Sequence, residues 1–306
     1  MKQQKRTRKG KISRLERNEY KYGFLFISIM LVGYIVFLII PLISTFGLSL
    51  TNYSLINGSQ YVGLENYKTM LTDDPTFVRT MWNTLFFSVL FVPSSIFLSL
   101  GLAVMLNKNI PGVGLFRTIV FTPYVTTIAV WGIVWKFVFQ TDNGAINLLL
   151  RQVFNVTGPM WLYNEHLAIP VVVVTAMLKS MGMNMIIFLT ALKSVPKMYY
   201  EAAELDGATG LKRFIYVTLP SISPTLFLNM VVSVINSLKV FGIIQIMTEG
   251  GPGTSSYVFV YYIYQMAFKK LQFGYASAIS VFLFVLIMIL TIVQWKMRKR
   301  WVYYEN

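Results

Sequence analysis

The stretch "EAAELDGATGLKRFIYVTLP", Glu201 to Pro220, crowds acids, bases, two glycines and a proline between two long apolar runs. It is an island in its chain. Of the 306 residues 55% are hydrophobic and only 13% charged, and the mean hydropathy is +0.59. That is too little polar surface to cover a soluble fold of this size, so the solvent of most of this chain is lipid. The segment from Glu201 must then be a loop outside the hydrocarbon. Which side it lies on sets the topology.

Six stretches can cross a hydrocarbon core of about 30 Å, which takes ~20 helical residues: 23–44, 80–106, 118–138, 167–192, 221–247 and 273–295. Backbone groups in lipid must be satisfied within the segment, so each is expected to be a helix. The predicted fold class is an all-α membrane protein with six transmembrane helices. A seventh apolar run, "YVFVYYIYQMAF" from Tyr257 to Phe268, is too short to cross and reads as interfacial or re-entrant. With six spans the N-terminal tail, the loop with Lys108 and Arg117, the loop with Lys193, Lys197, Lys212 and Arg213, and the tail with Lys296, Arg298, Lys299 and Arg300 share one side. That side holds most of the Lys and Arg and is therefore cytoplasmic. A seventh span would put the basic C-terminal tail outside.

The net charge of +15 is thus spent at segment ends, and no basic recognition helix or Arg/aromatic platform for nucleic acid is present. The basic tail 1–22 runs into an apolar segment too long for a signal-peptide core, and reads as an uncleaved first span followed by an outer loop, 23–78. The remainder divides into a core, 79–296, with the polar loop 194–220 inside it, and a tail, 297–306. Trp and Tyr near segment ends, such as Tyr20, Trp82, Trp135 and Trp295, fit interfacial belts.

Catalytic constellations are missing from the sequence. His166 is the only histidine, cysteine is absent, and Asp73 and Asp74 before Pro75 read as a turn. "GATGLK" from Gly207 lacks the spacing of a phosphate-binding loop, so any ATP is hydrolysed on another chain. The telling polar residues lie inside the spans. Lys179 is 13 residues from His166 and 14 from Lys193, about 20 Å from either end. Lys239 is ten residues inside Glu249, about 15 Å deep. A lysine facing lipid there would cost roughly 2.5–3.5 kcal/mol, so both are expected to meet a wet cavity or a partner acid. Residues 176, 179, 180 and 183 form one helical stripe, and 233, 236, 237 and 240 another. Ser180, Ser233, Asn236 and Ser237 place hydrogen-bonding groups on them, open to a translocation path or to helix packing.

In the loop, Ser194 and Pro196 predict a helix start and "KMYYEAAEL" a short helix. Gly207 allows a sharp turn, "LKRFIYV" opens a second short helix, and Pro220 begins the fifth span. A helix–turn–helix on the cytoplasmic face is a docking shape. E-A-A, three residues, G, nine residues, Val, one residue, L-P resembles the EAA loop of ABC importer permeases, with Val217 where Ile is usual. "YVGLENY" (Tyr61 to Tyr67), "RTMWNTLFFSV" (Arg79 to Val89), "GLFRTIVFTPYV" (Gly114 to Val125), "ALKSVPKMYYEAAELDGA" and "IMTEGGPGTSSYVFVYYIYQMAF" extend the resemblance over nearly the whole chain. Together they are similar to the maltodextrin and glycerol-phosphate branch of carbohydrate importers, in the permease subunit with the GGPG outer loop.

The resemblance implies a type I ABC importer permease in a bacterial inner membrane. Its partners would be a second homologous permease, two cytoplasmic ATPase subunits carrying ATP-Mg, and an extracytoplasmic solute-binding protein. This chain would bind no cofactor itself. The docking residues would be Glu201, Ala202, Ala203, Asp206, Gly207, Arg213, Leu219 and Pro220. Residues of the two helices flanking the EAA loop hold the sugar in the maltose-type relative. They correspond here to Ala176, Lys179, Ser180, Met183, Ser233, Asn236, Ser237 and Val240, with Lys239 beside them. Ala176 and Val240 stand where the relative has amides and Lys179 where it has an apolar residue, which argues against maltose itself. The expected cargo is a di- or oligosaccharide, with an acidic one drawn in by the lysines. The alternatives are a glycerol-phosphate-type cargo, or a channel or carrier that needs no ATPase.

Overall fold

The computed structural model describes residues 14–54, 58–108, 111–300 and 302–303. Among them the regular elements are helices, joined by a few isolated β-bridges around Thr51 and Ser54. Helix α1 (Arg14–Tyr34) passes through one π turn, Ile35–Ile39, into α2 (Ile40–Ser49). Pro41 has no N–H to give and its ring crowds the preceding turn, so a widened turn in front of it keeps the helix unbroken. The helix begins inside the expected basic tail, whose residues 1–13 lie outside the described set. A short α3 (Glu65–Thr72) then leads to α4 (Pro75–Leu106).

The start of α4 is fixed by chemistry. Asp74 Oδ1 accepts from the backbone N–H of Thr76 at 2.9 Å and of Phe77 at 3.1 Å, and Pro75 occupies the first helical position, where no N–H is needed. The span therefore begins five residues before the position 80 expected from hydropathy. What reads as a turn at Asp73–Pro75 is a helix cap.

Between α4 and the long α8 (Ala168–Ser194) the chain forms α5 (Val113–Val125), α6 (Ile128–Val138) and the short α7 (Ala145–Phe154). The third span, expected as one helix over 118–138, is broken. Helices α5 and α6 meet at 100°. With 13 and 11 residues they reach only about 20 Å and 16 Å, so neither crosses alone.

After α8 come α9 (Lys197–Leu205), α10 (Gly210–Arg213), a π turn at Phe214–Thr218, α11 (Leu219–Ser221) and α12 (Ser223–Leu238). Pro220 thus lies within the second short helix. The fifth span starts beyond a 71° bend, at Ser223 rather than at Pro220. It also ends early: α12 stops at Leu238, and after Lys239–Phe241 a separate α13 (Gly242–Met247) follows. The expected single helix 221–247 is therefore two. Helix α14 (Phe259–Tyr264), extended by a π turn to Lys269, and α15 (Phe273–Met297), followed by a 3-10 turn at Arg298–Arg300, complete the described elements. Four helices, Tyr20–Ser49, Pro75–Leu106, Ala168–Ser194 and Phe273–Arg300, are long and apolar enough to cross a membrane, and the two bent pairs raise the count to as many as six. The 257–268 run is no span: Phe259, Tyr261, Tyr262 and Met266 on α14 and its extension are buried in the core.

Helix α8 is the central post, packed against α4 along most of its length and against α5. A second cluster joins Met70, Phe77, Phe259, Tyr262, Ile279 and Leu283 of α3, α4, α14 and α15. Asp74 ties that cluster together. Its Oδ2 accepts from the phenols of Tyr262 and Tyr275, on α14 and α15. Burial first, and the Asp74 carboxylate next, hold the Tyr262 phenol protonated far above a tyrosine's ordinary range. Replacing Asp74 with Ala removes a cap and strands two phenols, and is expected to lower stability by about 2–4 kcal/mol. Thermal unfolding of the solubilised protein checks this, with Asp74→Asn falling between wild type and Asp74→Ala.

Candidate functional site

The break in the third span leaves the last carbonyls of α5 without helical partners, a costly condition in lipid. The sequence "FTPYVTT" prepares for it. Pro123 thins the ladder before the end, and Thr127 starts the next helix, its Oγ1 accepting from Val130 N at 3.4 Å. The freed carbonyls are taken by Lys179, whose Nζ donates to Pro123 O at 3.0 Å, to Tyr124 O at 3.5 Å and, by its shortest contact, to Thr126 O. A cation at a helix C-terminus also opposes the helix dipole. Lys179 was expected to meet a cavity or a partner acid; it meets its own chain's backbone.

The same face of α8 holds both halves. One turn toward the C-terminal end of α8, Gly182 lies so close to α5 that a Cβ would stand 2.4 Å from Val120 O and 2.7 Å from Phe121 Cα. One turn the other way, Thr175 O accepts from Trp131 Nε1 of α6 at 2.9 Å. Residues 175, 179 and 182 thus grip α6, the break and α5 in turn.

Helix α6 packs in turn on α13, beyond the break in the fifth span. A Cβ on Gly132 would meet Ile246 Cγ2 at 2.9 Å, and one on Gly242 would lie 3.3 Å from Ile128 Cδ1. Each half-helix offers a glycine to the other's isoleucine. Both spans are broken, and their outer halves touch.

The remaining stripe residues fall into two groups. Ser180 Oγ lies 3.2 Å from Ser95 Oγ, which also accepts from Asn184 Nδ2 at 3.2 Å, joining α8 to α4. Ser237 Oγ donates to Ser88 Oγ at 2.9 Å, joining α12 to α4, while buried Ser233 turns to Asn229 Oδ1 at 3.3 Å. Ala176 and Val240 pack against the outer core, and Met183 is half-buried. Asn236 and Lys239 are exposed, in register with exposed Val232 at i, i+4, i+7 on α12 and its cap. Of the two stripes, this face alone leaves an amide and an ammonium uncovered.

On the opposite side, α9 covers "KMYYEAAEL" as expected from sequence. It ends in a glycine-terminated cap: Ala208 N donates to Ala203 O at 2.8 Å and Gly207 N to Glu204 O at 3.0 Å, with Gly207 at φ +75°. Ala203 is buried behind this turn, while Glu201, Ala202, Glu204 and Asp206 face out. Arg213 stacks over the Tyr200 ring at 5.8 Å, and the Tyr200 hydroxyl lies 3.3 Å from Thr218 Oγ1, bracing α9 on the second helix. Leu219 and Pro220 are half-buried at its far end. Leu205 is 91% exposed and Leu211 72% exposed at the tip. Sequence reasoning passed over both leucines, although two apolar residues beside a glycine turn in a polar loop are a contact signal.

Residues 95–302, which include the broken spans and the elbow, match the family described as "binding-protein-dependent transport system inner membrane component". The chain belongs to this family. It is a membrane subunit of a transport system, acting by translocation and not as an enzyme. It is 33% identical over 300 residues to the probable ABC transporter permease protein YesP of Bacillus subtilis, covering 97% of this chain and 96% of that one. The arabinooligosaccharides transport system permease protein AraP of the same organism is 31% identical over 278 residues, 90% of this chain and 87% of its own length. The fold matches a solved bacterial alginate ABC transporter with a TM-score of 0.81 at 24% identity, covering 94% of this chain and 96% of that one. In this permease Gly182 marks where α5 and α8 touch. Gly182→Ala is expected to destabilise it by about 1–3 kcal/mol through forced separation of the two helices, read as a lower thermal midpoint and lower yield.

Proposed function

We propose that the chain is one permease of an ATP-driven, binding-protein-dependent importer that moves a di- or oligosaccharide into a bacterial cell. Its basic tails and the α9 elbow lie in the cytoplasm, and its GGPG loop lies outside. The observation that carries this reading is the elbow at Gly207, set at the other end of the chain's fold from an uncovered polar face on a broken span. One site is built for a protein and the other for a polar solute.

A second, homologous permease faces this one, and two ATPase subunits with ATP-Mg dock on the elbows. Glu201, Ala202, Glu204, Asp206 and the exposed leucines supply the contact. Ala203, Gly207 and Arg213 hold its shape, and Leu219 and Pro220 carry movement past the 71° bend into α12. Closure of the ATPases swings the elbow as a lever and re-aims the fifth span. The path for the solute runs along Asn236 and Lys239, with Met183 and Val240 at its edges. Ser180, Ser233 and Ser237 keep the path's walls in register. A saccharide suits this lining, because hydroxyls exchange hydrogen bonds with an amide and an ammonium. AraP, whose name gives arabinooligosaccharides as its cargo, is among the relatives.

Reconstitution in proteoliposomes tests the proposal. Uptake of the saccharide captured by the cognate binding protein should require ATP, the ATPase and the second permease; uptake by this chain alone would overturn it. Gly207→Val strains a left-handed position by about 1–2 kcal/mol. It should cut uptake about tenfold or more by loosening ATPase docking, seen as ATPase lost from the purified complex.

A further inference from the structure

We propose that Lys179 is a positioning residue: it holds the break of the third span in place through the backbone, and the charge it carries does not select the cargo. The inference deepens the permease reading above and rests on it.

An ammonium has three donors and no acceptor. The Lys179 ammonium is within reach of three carbonyls, Pro123, Tyr124 and Thr126. Two of its donors are taken by Pro123 and Thr126, and the third is turned toward Tyr124 O at 3.5 Å. The carbonyls in turn lie at a helix C-terminus, where the dipole concentrates negative charge, so the pair is matched in charge as well as in hydrogen bonding. Removing the lysine would strand these carbonyls at the point where the chain turns by 100°.

The geometry around it is that of a fixture. Gly182 brings α5 into backbone contact with α8 one turn away, and Trp131 of α6 is bonded to Thr175 O one turn in the other direction. Those two contacts hold the halves, and Lys179 ties the corner between them to α8. Lys239 is the contrast. It is exposed, on the face it shares with Asn236, and its ammonium has no hydrogen bond or ion pair among the described residues. If cargo charge is read by either lysine, Lys239 reads it.

The protein has no cysteine, so two introduced ones can be spin-labelled without background. Leu115 on α5 and Val134 on α6 are 65% and 50% exposed and span the break. In the assembled transporter, Lys179→Met is expected to broaden the label-to-label distance distribution and to lower uptake about tenfold or more. Lys179→Arg, which keeps a cation and its donors, should restore the narrow distribution and uptake to within about threefold. Lys239→Met should leave the distribution unchanged. An unaltered distribution in Lys179→Met overturns the proposal, as does a Lys179→Arg transporter that stays broad. A Lys179→Met transporter with wild-type distances and lost uptake would make Lys179 a cargo contact instead. The distance readout does not depend on ATP, whereas the permease reading fails only if uptake proceeds without the ATPase, so the two failures are distinguishable.

Discussion

A carbonyl in hydrocarbon has no water to turn to, and this constraint organises the whole molecule. An unbroken helix meets it internally. A broken one does not, and this chain breaks two of its spans. The exposed backbone at the corner between α5 and α6 is answered by a lysine from α8, and the end of α4 by Arg117, whose guanidinium donates to Leu106 O at 2.7 Å. Cations that composition alone would assign to solvent or solute are committed to helix ends. In return the corner becomes a defined piece of structure rather than a frayed one, and irregular backbone can stand at membrane depth.

The outer side is held by a different device. Asp74 caps α4 with one oxygen and takes two phenols with the other. Nearby, Phe259 N donates to Thr84 Oγ1 at 3.1 Å and Asn83 Nδ2 to Thr254 O at 3.1 Å, binding the GGPG loop to α4. Two ion pairs, Arg79 with Glu165 at 2.6 Å and Lys136 with Glu249 at 3.2 Å, stretch across the same surface. Both are well exposed and add little to stability. The neutral contacts beneath them fix the loop, so this end forms one braced cap over the breaks.

Hydropathy located the apolar segments because each is long enough to write its length into the sequence. It said nothing of continuity. "FTPYVTT" is apolar enough to be averaged into one helix, and only Pro123 with the Thr126–Thr127 pair hints at the break. At the end of α12 no proline or glycine immediately marks the stop at Leu238; α12 packs on α4 whereas the helix that follows, α13, packs on α6. The elbow was the most legible element, since Pro196 before the helix and Gly207 after it state its limits locally. Lys179 was legible as significant, by the cost of its depth, but not in its role. A side chain that answers backbone groups 53 to 56 residues away cannot be paired with them by spacing.

The elbow tip has a further meaning for the life of the subunit before assembly. Leu205 and Leu211 stand almost bare beside the acids of α9, uncovered by the described residues of this chain. A subunit not yet assembled into its transport system therefore displays an oily knuckle. Quality-control proteases and chaperones read such surfaces as unfinished work. A surface that assembly would cover is thus also a mark by which an unassembled subunit is told from an assembled one.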